Sequence, residues 1–333
     1  MDDRNTVLLE VKDLRTYFKT DDGIVRAADG VSFSVNSGES IGIVGESGSG
    51  KSVTALSIMR LVTGGITSGE IIYHGHDLLS LSERKMQSIR GNEITMIFQD
   101  PMTSLDPVYT IGFQLREAIM RHRKISRHDA DELAERVLIS VGFSNAKARL
   151  HAYPHQLSGG MRQRVMIAMA LVCQPDLLIA DEPTTALDVT IQAQILDLIR
   201  KLRTDSSMAL MLITHDLGVV AEMCERVIVM YCGQIVEIAN VKELFHNPQH
   251  EYTKALLRSI PRLDKEEEVL EAIPGSVPPA NDFPEGCRFY ARCSKACERC
   301  KKGEITLKEL ERGHFSSCVL AQDQYLGGEG REN

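Results

Sequence analysis

The stretch Gly45-Glu46-Ser47-Gly48-Ser49-Gly50-Lys51-Ser52 has the residue types that a phosphate-binding turn requires. Its glycines let the backbone turn tightly and aim N–H groups at anionic oxygens, and a helix starting near Lys51 adds its positive dipole end. In this pattern Lys51 reaches the β- and γ-phosphates of a nucleotide and Ser52 holds Mg2+ through its hydroxyl. Val53 follows in the first helical turn. A second constellation is DLLIADEP, residues 176–183. A hydrophobic strand ending in Asp181 and Glu182 sets two carboxylates at the carboxyl edge of a sheet, where a phosphate turn also belongs. Asp181 is expected to bind Mg2+ through its hydration shell. Glu182 is expected to take a proton from the water that attacks the γ-phosphate. Together the two motifs point to ATP hydrolysis.

Both motifs depend on strands that end where the chemistry begins. The segments VLLEVKDL, VSFSV and SIGIVG, between residues 7 and 45, read as short strands, and a helix is expected from Lys51 to about Leu61. Strands follow at EIIYHG and ITMIFQ. From about 110 to 175 the apolar residues recur at helical spacing, in IGFQLREAIMRHR, HDADELAERVLISVGF and SGGMRQRVMIAMALVCQ. From 177 onward strands and helices alternate again: LLIAD, IQAQILDLIRKLR, ALMLITH, RVIVMY and QIVEIA. The expected fold is α/β, a parallel sheet interrupted by a helical insert. After Pro248 the texture changes. PRLDKEEEVLEAIPGSVPPANDFPEG is charged and then Pro/Gly-rich, as a linker would be.

The bulk composition excludes some classes. The 333 residues are 43% hydrophobic, and 46 acidic against 38 basic residues give a net charge of -8, which argues against non-specific nucleic-acid binding. The N-terminus MDDRNTVLLEVKD lacks the basic-then-apolar pattern of a leader. No apolar run approaches the roughly 18 residues of a membrane span. A cytosolic chain with reduced thiols is expected. Cys173, Cys224 and Cys232 stand in apolar contexts that predict burial. His74 and His76 flank a turn glycine and read as surface residues, and His155 reads as a packing or loop residue.

Leu157–Arg164, LSGGMRQR, resembles the signature motif of ABC-transporter ATPases, and it stands in the helical insert as it does there. Further motifs of that family follow in order. Gln99 in IFQDP resembles the Q-loop glutamine, Asp188 closing TALD resembles the D-loop aspartate, and His215 in LITHD resembles the switch histidine. Phe18, or its neighbour Tyr17, resembles the aromatic that stacks on adenine. The resemblance implies an ABC-type P-loop ATPase core with a helical insert and an antiparallel β subdomain. It implies ATP held between two cassettes, with Ser158, Gly159 and Gly160 of one capping the γ-phosphate on the other. Gln99 then reports the γ-phosphate and contributes to the Mg2+ site, while His215 orients the phosphate and the attacking water.

The last third resembles the tail of ATP-binding subunits of oligopeptide and dipeptide importers: NPQHEYTKALLRSIP, PGSVPP, PEGCRFYARC and GHFSSC. Tyr290-Ala291 departs from the His-Pro commonly found there. This implies an ATP-binding domain at 1–246, with a helical subdomain at about 105–175, and an importer extension at 247–333. It also implies separate integral-membrane permease subunits, a second identical or related ATPase subunit, an extracellular peptide-binding protein reached indirectly, and a peripheral location on the cytoplasmic face of the membrane. No nucleic-acid partner is expected. The rival is an ABC-type ATPase of nucleic-acid maintenance or redox regulation that uses the cysteine-rich tail.

Five of the eight cysteines fall between Cys287 and Cys318. Cys287, Cys293, Cys300 and Cys318 are separated by five, six and seventeen residues, a pattern that resembles the importer tail. Structural zinc favours pairs two to four residues apart, such as Cys297 and Cys300, whereas the wider spacings of Cys287, Cys293, Cys300 and Cys318 suit a [4Fe–4S] cubane. A small metal-bound extension is therefore expected, with the cluster favoured, Zn2+ the alternative, and free or disulfide cysteines the third reading. Cys297 is the spare thiol. Arg288, Arg292, Arg299, Lys301 and Lys302 are expected to offset the negative charge of the thiolates.

Overall fold

The computed structural model describes residues 6–100, 104–185, 188–204, 206–259, 273–303 and 305–327. Part of the linker expected at 261–286, up to residue 272, lies outside them. In chain order the strands are β1 Val7–Thr20, β2 Gly23–Asn36, β3 Ser40–Val44, β4 Gly65–Tyr73, β5 His76–Asp77 and β6 Ile94–Ile97. They continue as β7 Leu177–Asp181, β8 Ala209–Ile213, β9 Arg226–Tyr231, β10 Gln234–Asn240, β11 Lys308–Glu311 and β12 His314–Ser316. The chain divides into two compact units, one of residues 1–8, 35–40 and 80–212, the other of 9–34, 41–79 and 213–333.

In the first unit β8, β7 and β6 lie side by side, and β6 runs parallel to β7 from Ile94↔Leu177 to Ile97↔Ala180. Every residue of β7 and β8 is buried, as expected of strands covered on both faces. The helical insert is present as expected. Helix Ile111–His122 buries Ile111, Leu115 and Ile119, and helix Arg127–Ser140 buries Ala130, Ala134 and Leu138, each set at four-residue steps on one face. Thr110 and Ser126 begin these helices by accepting the N–H groups of Phe113 and Asp129 on their hydroxyls.

The second unit holds the antiparallel sheet β2-β1-β4-β5 and the ordered strands β11-β12-β10-β9-β3. β1 pairs with β4 from Leu9↔Tyr73 to Phe18↔Gly65, with a register shift between Lys12 and Arg15. β1 and β2 run 14 residues each, longer than the apolar stretches that predict them, because their ends form a hairpin around exposed Asp21 and Asp22 where no core imprints a pattern. β3 pairs in parallel with β9 from Ile41↔Arg226 to Val44↔Val229.

The C-terminal extension is built into this sheet. β12 adds antiparallel to β10, with Glu237↔Ser316 and Ile238↔Phe315, and β11 adds to β12. A fully buried carboxylate secures the joint. Glu237 accepts the backbone N–H groups of Gln249 (2.7 Å) and His250 (2.8 Å), and His314 Nε2 donates to it at 2.8 Å. Such a charge is tolerable only because three donors replace its water. Phe289 of the extension packs edge-on to Tyr231, and both rings lie near Tyr252.

His250 also caps helix Glu251–Arg258, its Nδ1 accepting the Tyr252 N–H at 3.1 Å. Burial pushes this imidazole down to about 4 from its ordinary 6.5, with Glu237 and Glu251 pulling the other way and Lys254 with it. The neutral form is thus the folded form, and the unfolded chain binds the proton first. Stability is intact above about pH 6.5 and declines as the pH falls towards about 4, by on the order of 3 kcal/mol in all. His250→Asn keeps a capping acceptor, so its thermal midpoint should fall less steeply between pH 6.5 and 4 than that of the parent chain. Identical slopes would contradict this assignment.

Candidate active site

β3 is buried at all five positions and delivers the chain into the turn Gly45–Gly50, after which helix Lys51–Ile58 begins. The turn depends on backbone shapes reserved for glycine. Gly45 and Gly50 have φ of 153° and 99°, and a Cβ on either would stand 2.2 Å from a carbonyl oxygen, that of Met230 or of Ala27. Gly48, at φ 77°, faces open space with nothing within 4 Å of such an atom. Ser47 and Gly48 form the exposed crest, and Ser49 and Gly50 are buried beneath it. Lys51 lies back along the turn, its Nζ donating to Gly45 O (2.8 Å), Glu46 O (2.9 Å) and Ser49 Oγ (3.3 Å). The N-cap of this helix is Gly50, which has no side chain to cap it. Ser52 and Val53 are half-buried in the first turn.

The two candidate aromatics face opposite ways. The Thr16 hydroxyl lies 2.8 Å from that of Ser57 on the helix after the turn, so that face of β1 looks towards the helix. Phe18, two residues on, shares the face and lies against Gly65, where a Cβ would come within 2.9 Å of its ring. Tyr17 points the other way, its hydroxyl donating to Asp29. His215 is exposed after β8, between Thr214, whose hydroxyl accepts the Asp216 N–H, and Asp216, which caps helix Leu217–Met223.

The first unit holds the other candidates. Asp181 is buried at the end of β7, and Glu182 turns out at φ 45°. Glu182 Oε2 accepts from Gln99 Nε2 at 3.2 Å and from the Thr185 hydroxyl at 2.7 Å. The Gln99–Glu182 pair was separately nominated by the sequence. Ser158 caps helix Gly159–Leu171, and with Gly159 it is exposed. Gly160 is half-buried against Ile191, where a Cβ would meet Cγ2 at 2.9 Å. Asp188 accepts the Ile191 N–H at the start of helix Val189–Thr204; Ala186 and Leu187 lie outside the described residues. The sequence reading overlooked Gln163, whose buried amide donates to Pro183 O at 2.6 Å and ties the signature helix to the turn after Glu182. It also overlooked Thr185. Both stand inside quoted motifs, but their partners are not deducible from spacing.

No disulfide joins the eight cysteines, and Cys173, Cys224 and Cys232 are buried. Cys287 N–H donates to Cys300 O at 2.8 Å, and the sulfurs of Cys297 and Cys300 are 3.5 Å apart. Burial pushes the Cys287 thiol up to about 12 and the Cys300 thiol up to about 11, and raises that of Cys293. Cys293, Cys300 and Cys318 are close enough to raise Cys287 further, while backbone N–H groups of Phe289, Lys295 and Cys297 favour the thiolates of Cys287, Cys293 and Cys300. Four of the five basic residues of the tail pair with carboxylates, Arg288 with Asp29, Arg292 with Glu46, Arg299 with Asp323 and Lys301 with Glu298, and Arg299 is also close enough to Cys297 and Cys300 to act on their charge.

Residues 28–185 match the family described as ABC transporter, and residues 236–300 match the oligopeptide/dipeptide transporter C-terminal region. A probable peptide ABC transporter ATP-binding protein of Sinorhizobium fredii is 54% identical over 316 residues, 94% of each chain. An oligopeptide transport ATP-binding protein of Bacillus subtilis is 52% identical over 96% of this chain and 98% of its own. A dipeptide transport ATP-binding protein of Escherichia coli is 50% identical over 95% and 97%. Among solved structures, a dimeric ATP-binding cassette in a post-hydrolysis state bound to ADP and Pi matches with a TM-score of 0.64 at 27% identity, over 70% of this chain and 98% of that one.

Proposed function

The chain belongs to the ABC transporter family, among its peptide-transport ATP-binding subunits, and from that premise we propose how it works. It is an ATPase that energises import of di- and oligopeptides through separate membrane permease subunits. The observation that carries this reading is end-to-end similarity: relatives named for peptide transport match over both the cassette and the extension. Among the described residues no helix is long and apolar enough to cross a membrane, and the membrane path is assigned to separate permease subunits. A peripheral position on the cytoplasmic face follows from that division of labour. The nucleic-acid or redox-regulatory reading is not favoured: the relatives are named for peptide transport, and the net charge of -8 opposes non-specific nucleic-acid binding.

In this reading the N–H groups of residues 46–52 and the Lys51 ammonium receive the ATP phosphates, and Phe18 stacks on adenine. Phe18 is preferred to Tyr17 because its face of β1 looks towards the phosphate-loop helix, whereas Tyr17 is engaged with Asp29. Ser52, Gln99 and Asp181 offer hard oxygen donors suited to Mg2+. When bound, that ion neutralises charge developing on the phosphate oxygens. Glu182 takes the proton of the attacking water, aimed by Gln99 and Thr185, and His215 orients the γ-phosphate. Ser158, Gly159 and Gly160 present an exposed helix N-terminus to the nucleotide of a second cassette, and Asp188 lies at the same junction. The second cassette is a copy of this chain or a related subunit, and an extracellular binding protein delivers peptide to the permease.

The extension fits a [4Fe–4S] cluster on Cys287, Cys293, Cys300 and Cys318. Four thiolates around one zinc ion, with bonds of about 2.3 Å, would crowd their sulfurs to about 3.8 Å. The one sulfur pair the structure brings that close, Cys297 and Cys300 at 3.5 Å, leaves Zn2+ as the alternative, and the cluster is proposed from the wider spacing of the other cysteines along the sequence. The role is structural, holding a segment with little core of its own.

Glu182→Gln should retain ATP affinity while hydrolysis in the assembled transporter falls by about 10²- to 10⁴-fold. Hydrolysis near the parent rate would remove Glu182 from this role. Protein purified without oxygen should be brown, with about four irons and four labile sulfides per chain. Colourless protein carrying stoichiometric zinc would give the site to zinc instead.

A further inference from the structure

Glu46 is the one ionisable residue between Gly45 and Gly50, and it is held from every side. Its N–H donates to the Tyr252 hydroxyl at 2.9 Å, and its carbonyl accepts from Lys51 Nζ at 2.9 Å and from the Ser49 N–H at 3.2 Å. Its carboxylate meets Arg292 in a two-pronged pair, Nη1 to Oε2 at 2.8 Å and Nη2 to Oε1 at 3.2 Å. The arginine is itself fixed. Its side chain is 6% exposed, Nε donates to Pro274 O at 2.9 Å, and Nη1 reaches the Tyr231 hydroxyl at 3.3 Å. Arg292 directly precedes Cys293, so whatever holds the cysteines holds this guanidinium.

We propose that Arg292 is a positioning residue for the nucleotide, acting through Glu46 on the phosphate loop. This rests on the reading of Gly45–Ser52 as the ATP-phosphate site. Two physical effects act together. The planar fork fixes Glu46 in orientation as well as place, and with it the carbonyl on which Lys51 rests. The pair also neutralises a carboxylate that would otherwise stand as a bare anion next to a site for a polyanion. Arg288, just after Cys287, makes a second such tie by pairing with Asp29, the residue that holds Tyr17 beside Phe18. The extension therefore touches the phosphate loop directly and, through Asp29 of β2, reaches Tyr17 on the strand that carries Phe18.

The test is equilibrium binding of Mg2+ and a non-hydrolysable ATP analogue to the full chain, with thermal midpoint and iron content measured on the same samples. The parent chain and Lys51→Ala come first, because binding that does not depend on Lys51 overturns the reading beneath the proposal. Arg292→Met should weaken binding at least tenfold with metal content unchanged, and Arg292→Lys should fall between, keeping the charge but not the fork. Glu46→Gln combined with Arg292→Met should bind more tightly than Arg292→Met alone, since the stranded anion is gone. Parent affinity in Arg292→Met overturns the proposal. So does a double variant whose loss equals or exceeds that of Arg292→Met, or losses that track lost metal and midpoint, because a merely structural role predicts them.

Discussion

The conformation of one turn governs the rest. Gly45–Gly50 must hold left-handed backbone shapes so that amide groups converge on a polyanion, and a short turn has no means of enforcing this alone. The carbonyls of Met230 and Ala27 stand where side-chain carbons would be, β3 below is wholly buried, and Tyr252 and Arg292 fasten Glu46 from outside. A phosphate loop prepared in this way offers its backbone donors without rearrangement when the ligand arrives. Such preorganisation is where electrostatic catalysis gains most.

The C-terminal extension takes its meaning from this constraint. Too small to build a core, it borrows one: β12 extends the sheet along β10, Glu237 joins it to the 249–250 turn, and Phe289 enters the aromatic group of Tyr231 and Tyr252. The cysteines are placed within the same segment as the two arginines that reach Asp29 and Glu46. Whatever orders this segment also orders the two cations that pair with Asp29 and Glu46. In the first unit Gln163 does comparable work by tying the signature helix to the turn after Glu182.

Much of this was legible in the sequence, for physical reasons that differ by element. The phosphate turn is readable because its chemistry dictates residue types at fixed positions. β7 and β8 are readable because a strand covered on both faces must be apolar throughout. The insert helices carry their buried stripe and their Thr110 and Ser126 caps in plain view. The rest rests on long-range partners. Arg292 and Glu46 are 246 residues apart, and nothing local distinguishes an arginine that will find a glutamate from one that will face a thiolate. β11 and β12, with four and three residues, are too short and too polar to show a period. Which of Tyr17 and Phe18 shares the face of β1 turned to the helix after the turn is visible only once Thr16 is seen against Ser57 and Tyr17 against Asp29.

The central claim is that ATP turnover on this chain drives peptide across a membrane through other subunits. The most direct measurement is uptake of a labelled dipeptide and a labelled longer peptide by proteoliposomes containing the co-purified permeases and this chain, with the binding protein outside and ATP inside. Uptake should require internal ATP and should vanish when this subunit carries Lys51→Ala. Peptide accumulation that survives that substitution, or ATP hydrolysis at full rate with no permease and no uptake under any condition, would contradict the account.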